Sequence, residues 1–138
     1  MKLKLCFLPL ICCSHFTFAD ITVIVHPSNS NAMDASSISR LFLGKSKKFP
    51  DGSIAIPLNQ IEASSATAQF NSKALRKSSS QIKAYWSKLV FTGKGSPPKS
   101  VENNAAVLDL VSSNPNIIGY VESNVLTDKV KVKVLKTF

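Results

Sequence analysis

The segment Asn59-Gln60-Ile61-Glu62-Ala63-Ser64-Ser65-Ala66-Thr67 brings three hydroxyls, on Ser64, Ser65 and Thr67, to a predicted helix start. The first N–H groups of a helix have no partner within it, and the helix dipole favours negative charge there, so the chemistry on offer is capture of a small oxyanion. Serine is also a common helix cap and needs no ligand to explain it, so capping stands beside anion binding as a reading of Ser64 and Ser65. The run Ser28-Asn29-Ser30 carries the same two readings, because these residue types also dominate ordinary turns.

Other chemistry is poorly provided for. Met1 to Ala19 reads as a secretory signal: Lys2 and Lys4 give a positive start, Leu5 to Cys13 is a short apolar run, and Thr17-Phe18-Ala19 suits cleavage after Ala19. A lipoprotein acylated at Cys13 is the less favoured alternative, since Cys12 is a poor residue to precede it. Cys6, Cys12 and Cys13 are the chain's three cysteines, so the expected mature chain from Asp20 has no thiol nucleophile, thiolate metal site or disulfide. Its one histidine, His26, would need Ser64 or Ser65 and one of Asp34, Asp51 or Glu62 beside it to form a triad, and the spacing does not favour that. Eight scattered acids show no metal-ligand spacing. No enzyme activity, metal or cofactor is expected.

The formal charge of +9 falls to +7 once Lys2 and Lys4 leave with the signal. The lysines are dispersed without interleaved aromatics, and an exported chain meets little nucleic acid, so attraction to anionic solutes or acidic partner surfaces is the better use of the charge. No later apolar run is longer than Leu5–Cys13, which is about half the ~20 residues that span a bilayer, so no membrane span is expected.

The elements that must position the hydroxyls follow from pattern. Ile21 to Val25 is a β-branched run that suits a strand buried on both faces, as in a parallel sheet. Asp34 can cap a helix carrying Ile38, Leu41 and Phe42, stopped by Gly44. Ser53 to Leu58 is the second predicted strand, after the Phe49-Pro50-Asp51-Gly52 turn. Ser64 or Ser65 starts a short helix with Phe70 and Leu75, and Ser80 caps a longer one. In the longer helix Ile82, Tyr85, Trp86, Leu89 and Val90 recur at helical spacing, so Tyr85 and Trp86 read as packing residues. A helix near Asn103 to Ser113, a strand over Ile117 to Val121, and an edge strand over Lys129 to Lys133 with solvent-facing lysines complete the chain. Strands alternating with helices over such connections predict an α/β domain with a mixed, largely parallel sheet, in which ligands bind beyond the carboxyl ends of strands. His26 to Ser30 and Asn59 to Thr67 are the two segments expected there.

In that order, Ile21-Thr-Val-Ile-Val-His-Pro-Ser-Asn, Ser39-Arg-Leu-Phe-Leu-Gly-Lys, Phe49-Pro-Asp-Gly, Ser64-Ser-Ala-Thr-Ala-Gln-Phe, the Tyr85-Trp86 helix and Asn114-Pro-Asn-Ile-Ile-Gly-Tyr-Val resemble the phosphate-binding proteins of phosphate ABC transporters. The resemblance covers nearly all of residues 20–138. It implies a single lobe of a type II periplasmic-binding-protein fold, where full-length members close two lobes on phosphate. It also implies an exported, periplasmic solute-binding protein that holds phosphate or a related oxyanion at Ser64, Ser65 and Thr67, with Ser28, Asn29 and Gln60 lining the site. Two departures weaken that site: Gln60 stands where the family has an arginine, removing a charge-assisted contact, and Ser64-Ser65-Ala66 replaces Ser-Gly-Thr, moving one hydroxyl to Thr67.

An ABC permease or an envelope sensor is the implied partner, and a homodimer could supply the missing wall. The competing reading is an interaction module that no longer binds ligand and docks on a sensor or transporter, with the Lys45, Lys47, Lys48 loop as its docking surface.

Overall fold

Five β-branched residues in succession make β1 (Ile21–Val25) a strand coverable on both faces, and all five are buried in the computed structural model, which describes residues 20–138. The expected leader at residues 1–19, its cleavage site and its cysteines lie outside the described residues. The described chain continues through α1 (Ala35–Phe42), β2 (Ile56–Gln60), α2 (Ser65–Phe70), a π-helical turn (Asn71–Leu75), α3 (Ser79–Phe91), β3 (Lys99–Val101), α4 (Asn104–Ser113), β4 (Ile117–Glu122) and β5 (Lys133–Thr137).

The described residues form a five-stranded sheet in the order β3-β2-β4-β1-β5. The sheet is mixed, as expected: β2 runs parallel to β3 and β4, whereas β1 is antiparallel to both β4 and β5. Period-two alternation splits β1 and β4 between two cores. Ile21, Val23, Val25, Ile118 and Tyr120 face α1, α2 and α3 in the larger core, while Ile24, Ile117 and Val121 pack with Val107 and Val111 of α4 on the other side. The result is three layers, helix on sheet on helix.

Three local contacts fix these layers. Phe70 stacks on Tyr120 with centroids 4.0 Å apart, and Phe42 meets Phe70 edge-on at 4.7 Å. Tyr85 Oη donates to Leu43 O at 2.7 Å, tying α3 to the end of α1, where Gly44 turns back at φ 71°. Any Cβ at Gly44 would sit 3.0 Å from the Trp86 ring, so both the conformation and the approach favour glycine.

Several boundaries differ from the sequence reading. The second strand is Ile56–Gln60, because Ile54 is taken up in a bridge to Lys48. The long helix is capped by Ser78, whose Oγ accepts from Gln81 N while Gln81 Oε1 accepts from Ser78 N; this reciprocal box selects Ser78 over Ser80. The last strand is Lys133–Thr137 rather than Lys129–Lys133. The short β3 was not anticipated, and Val90 is more than half exposed although it shares the α3 stripe.

Candidate functional site

Because β2 runs parallel to β3 and β4, Gln60, Val101 and Glu122 end their strands at one edge of the sheet. Helices α2 and α4 start at that same edge. Two helix N-termini therefore converge beyond strand carboxyl ends, the position in which open α/β sheets bind ligands.

Gln60 ties the convergence together. It is 2% exposed, its Nε2 donates to Asn104 Oδ1 at 2.9 Å and to Tyr120 O at 3.0 Å, and its Oε1 accepts from Ser64 Oγ at 2.8 Å. One neutral side chain thus links the end of β2 to the starts of α2 and α4 and to β4. Its polar atoms are all used inside the protein, so it positions the site rather than lining it.

Ser64 stands at the N-cap of α2 with extended backbone, yet its side chain makes no capping bond. Among the described residues, the other three α-helices are capped by Asp34, Ser78 and Asn103, each accepting from a backbone N–H three residues on. The capping explanation therefore does not hold for Ser64, whose hydroxyl is drawn to Gln60. The N–H groups of Ser65 and Ala66 consequently begin α2 without a side-chain partner.

The remaining hydroxyls are committed too. Ser65 Oγ donates to Glu122 Oε1 at 2.6 Å, which puts a carboxylate beside the α2 start. Thr67 is buried, and its Oγ1 donates to Ile61 O at 2.8 Å and lies 3.1 Å from Gln60 O, so it closes the loop before α2. Tyr120 Oη accepts from Gln60 N at 3.1 Å and donates to Asn59 Oδ1. Burial pushes the Tyr120 phenol above its ordinary pKa. Lys73 Nζ pairs with Asp20 Oδ1 at 3.8 Å near the start of β1.

Ser28 and Asn29 do not join this group. Val25 pairs with Ile118 at the start of β4, whereas Glu122 pairs with Ile21, so antiparallel β1 delivers Ser28 and Asn29 to the opposite end of the sheet, about 16 Å away along the strand. There Ser28 Oγ lies 2.7 Å from His26 Nδ1, Asn29 Oδ1 accepts from Asn31 N and Nδ2, and Lys133 Nζ donates to Asn29 O. The contacts with His26 and Asn31 are turn contacts, the Lys133 bond ties the turn to β5, and His26 is a strand-end residue.

Sequence reasoning missed Asn104 and Glu122. Asn104 follows the cap residue Asn103, and Glu122 ends the apolar Ile117–Val121 run; a polar residue closing a buried strand was the signal available for Glu122. Among the described residues, no group of three or more His, Cys, Asp and Glu side chains could hold a metal. No described helix is long and apolar enough to cross a membrane.

Architecture and strand order together define an α/β fold of the periplasmic-binding-protein class. The chain is similar to an ABC-type phosphate transport receptor from Vibrio cholerae at TM-score 0.65 and 14% identity, over 86% of this chain and 46% of that one. It is similar to PstS from Borrelia burgdorferi at TM-score 0.64 and 14% identity, over 86% and 48%. A third similar structure, from Clostridium perfringens and solved with bound phosphate, has TM-score 0.56 and 17% identity, over 86% and 45%. This chain spans less than half the length of each of them. No protein-family profile and no curated protein matches the sequence.

Proposed function

We propose that this chain is an exported, periplasmic solute-binding protein of the phosphate ABC transporter type, holding phosphate or a related oxyanion at the start of α2 for uptake or sensing. The observation that carries this reading is the uncapped α2: Ser64 turns its hydroxyl to Gln60, leaving the Ser65 and Ala66 N–H groups at a helix start beyond a parallel strand pair. Transport receptors with this fold, one of them holding phosphate, support it. Ser64 and Ser65 are the contact residues, and Gln60 with Asn104 positions them.

Glu122 opposes the guest's charge, and no arginine compensates, so a single lobe binds only at about 1 mM or weaker unless a second copy, a permease or a sensor supplies the other wall. Isothermal titration with phosphate at low salt tests the reading. Saturable heat, competed by arsenate or sulfate and weakened but not abolished in Ser64→Ala plus Ser65→Ala, which keep the main-chain donors, is expected; no heat and no competition up to about 20 mM phosphate overturns it.

A second reading is favoured by one specific observation, that the hydroxyls of Ser64, Ser65 and Thr67 are all engaged internally. On it the chain is an envelope interaction module that docks through its Lys45, Lys47, Lys48 loop. A membrane partner that co-purifies with wild type and with the double serine variant alike, but not after charge reversal of that loop, distinguishes it.

A further inference from the structure

A cavity of about 570 Å³ lies between α3 and the β2–β3 side of the sheet. That is within the range of small-molecule sites. Two features of its wall have no structural explanation. Asn71, 3% exposed, opens the π-helical turn, and its Oδ1 has no hydrogen-bond partner. Buried polar groups are nearly always paired, and π turns inside helices occur frequently at functional sites. At the mouth, Phe91 is 93% exposed at the end of α3, next to half-exposed Val90. Phe91 and Val90 carry the apolar lining of Ile82 and Trp86 out to solvent, so the apolar surface is continuous rather than a single exposed side chain.

The remaining wall narrows the guest's chemistry. Ile82 and Trp86 make its floor apolar. Glu62 and Lys83 line it with opposite charges, which favours a guest without net charge. Gln60 and Thr67 also line the cavity, but their side-chain polar atoms are already bonded within the protein. Asn71 is the buried lining residue with capacity to spare: its Oδ1 is unbonded and its Nδ2 meets Ser79 Oγ only at 3.4 Å.

We propose that this cavity binds a small, overall uncharged amphiphile whose polar head donates a hydrogen bond to Asn71 Oδ1 and whose apolar body lies against Ile82, Trp86 and Phe91. This site is independent of the oxyanion reading, because it uses neither the α2 start nor Ser64 and Ser65.

Trp86 is the sole tryptophan of the sequence, so its fluorescence reports on the cavity directly. The probes are hexanamide, which carries N–H donors, and N,N-dimethylhexanamide, which has the same apolar body and no donor. Hexanamide is expected to change Trp86 emission saturably at millimolar concentration, and the dimethyl compound to need about tenfold more, the worth of one hydrogen bond. Asn71→Leu is expected to erase the difference between the two probes. Phe91→Ser, at a side chain too exposed to affect folding, is expected to weaken both several-fold. Equal response to the two probes in wild type, no saturation by about 20 mM, or wild-type affinity in Phe91→Ser overturns the proposal, and these hold even where Asn71→Leu does not fold.

Discussion

Ser64 Oγ donates to Gln60 Oε1 at 2.8 Å, so the residue at the N-cap of α2 gives its hydroxyl back to the strand it has just left. The bond has two effects. It fixes the loop between β2 and α2, and it leaves the first N–H groups of α2 without a side-chain cap.

Gln60→Ala removes three hydrogen bonds from a side chain that is almost fully buried, strands Ser64 Oγ and leaves Asn104 Oδ1 with only the 3.3 Å bond from Glu122 N. A loss of about 1–3 kcal/mol is expected, read from the urea midpoint at unchanged m. An unaltered midpoint would mean that these ends are held by something else.

Glu122→Gln keeps an acceptor for Ser65 Oγ and removes the charge. Unit charges about 4 Å apart cost each other ~1 kcal/mol even in water, so phosphate affinity at pH 7 is expected to rise at least about fivefold, with the gain shrinking as salt is added. Calorimetric titration at two ionic strengths checks it.

Gly119 lies where β4 passes under α4, and a Cβ there would come within 2.7 Å of Val107 Cγ1. Gly119→Ala is expected to cost about 1–3 kcal/mol by overpacking, with Val107→Ala recovering part of it in the double variant. Additive losses would show that the two positions do not press on one another.

Stability is expected to fall above pH 10. The buried Tyr120 phenol holds its proton more tightly folded than unfolded, where its pKa is about 10. Its contribution is complete below pH 10, and above it the unfolded state loses the proton first, which pulls the equilibrium toward unfolding. Denaturant midpoints from pH 9 to 11 check this, with Tyr120→Phe expected to flatten the decline.

Much of this fold was legible where a local rule decides the element. The β-branched run of β1, the cap Asp34, and the apolar spacing of Ile82 and Trp86 each dictate a helix or strand from neighbours in sequence. Strand direction is not local. Nothing in Ile21–Val25 states whether its neighbours run with it or against it, and burial on both faces arises equally between two antiparallel partners. That one unknown moved Ser28 and Asn29 to the far end of the sheet. The same limit hid Glu122 and Asn104, which reach the α2 start only through tertiary pairing. In the last strand the lysine alternation runs from Lys129 to Lys133 in sequence, but pairing with β1 selects Lys133–Thr137.

On the proposed function, main-chain donors at the start of α2 hold an oxyanion without an arginine. Backbone amide NMR of the chain during phosphate titration reads those donors one by one. Saturable shifts of the Ser65 and Ala66 amides at millimolar phosphate, with Ser28 and Asn29 unmoved, are the expected result. Stationary Ser65 and Ala66 resonances up to about 20 mM phosphate would rule out oxyanion binding at the α2 start.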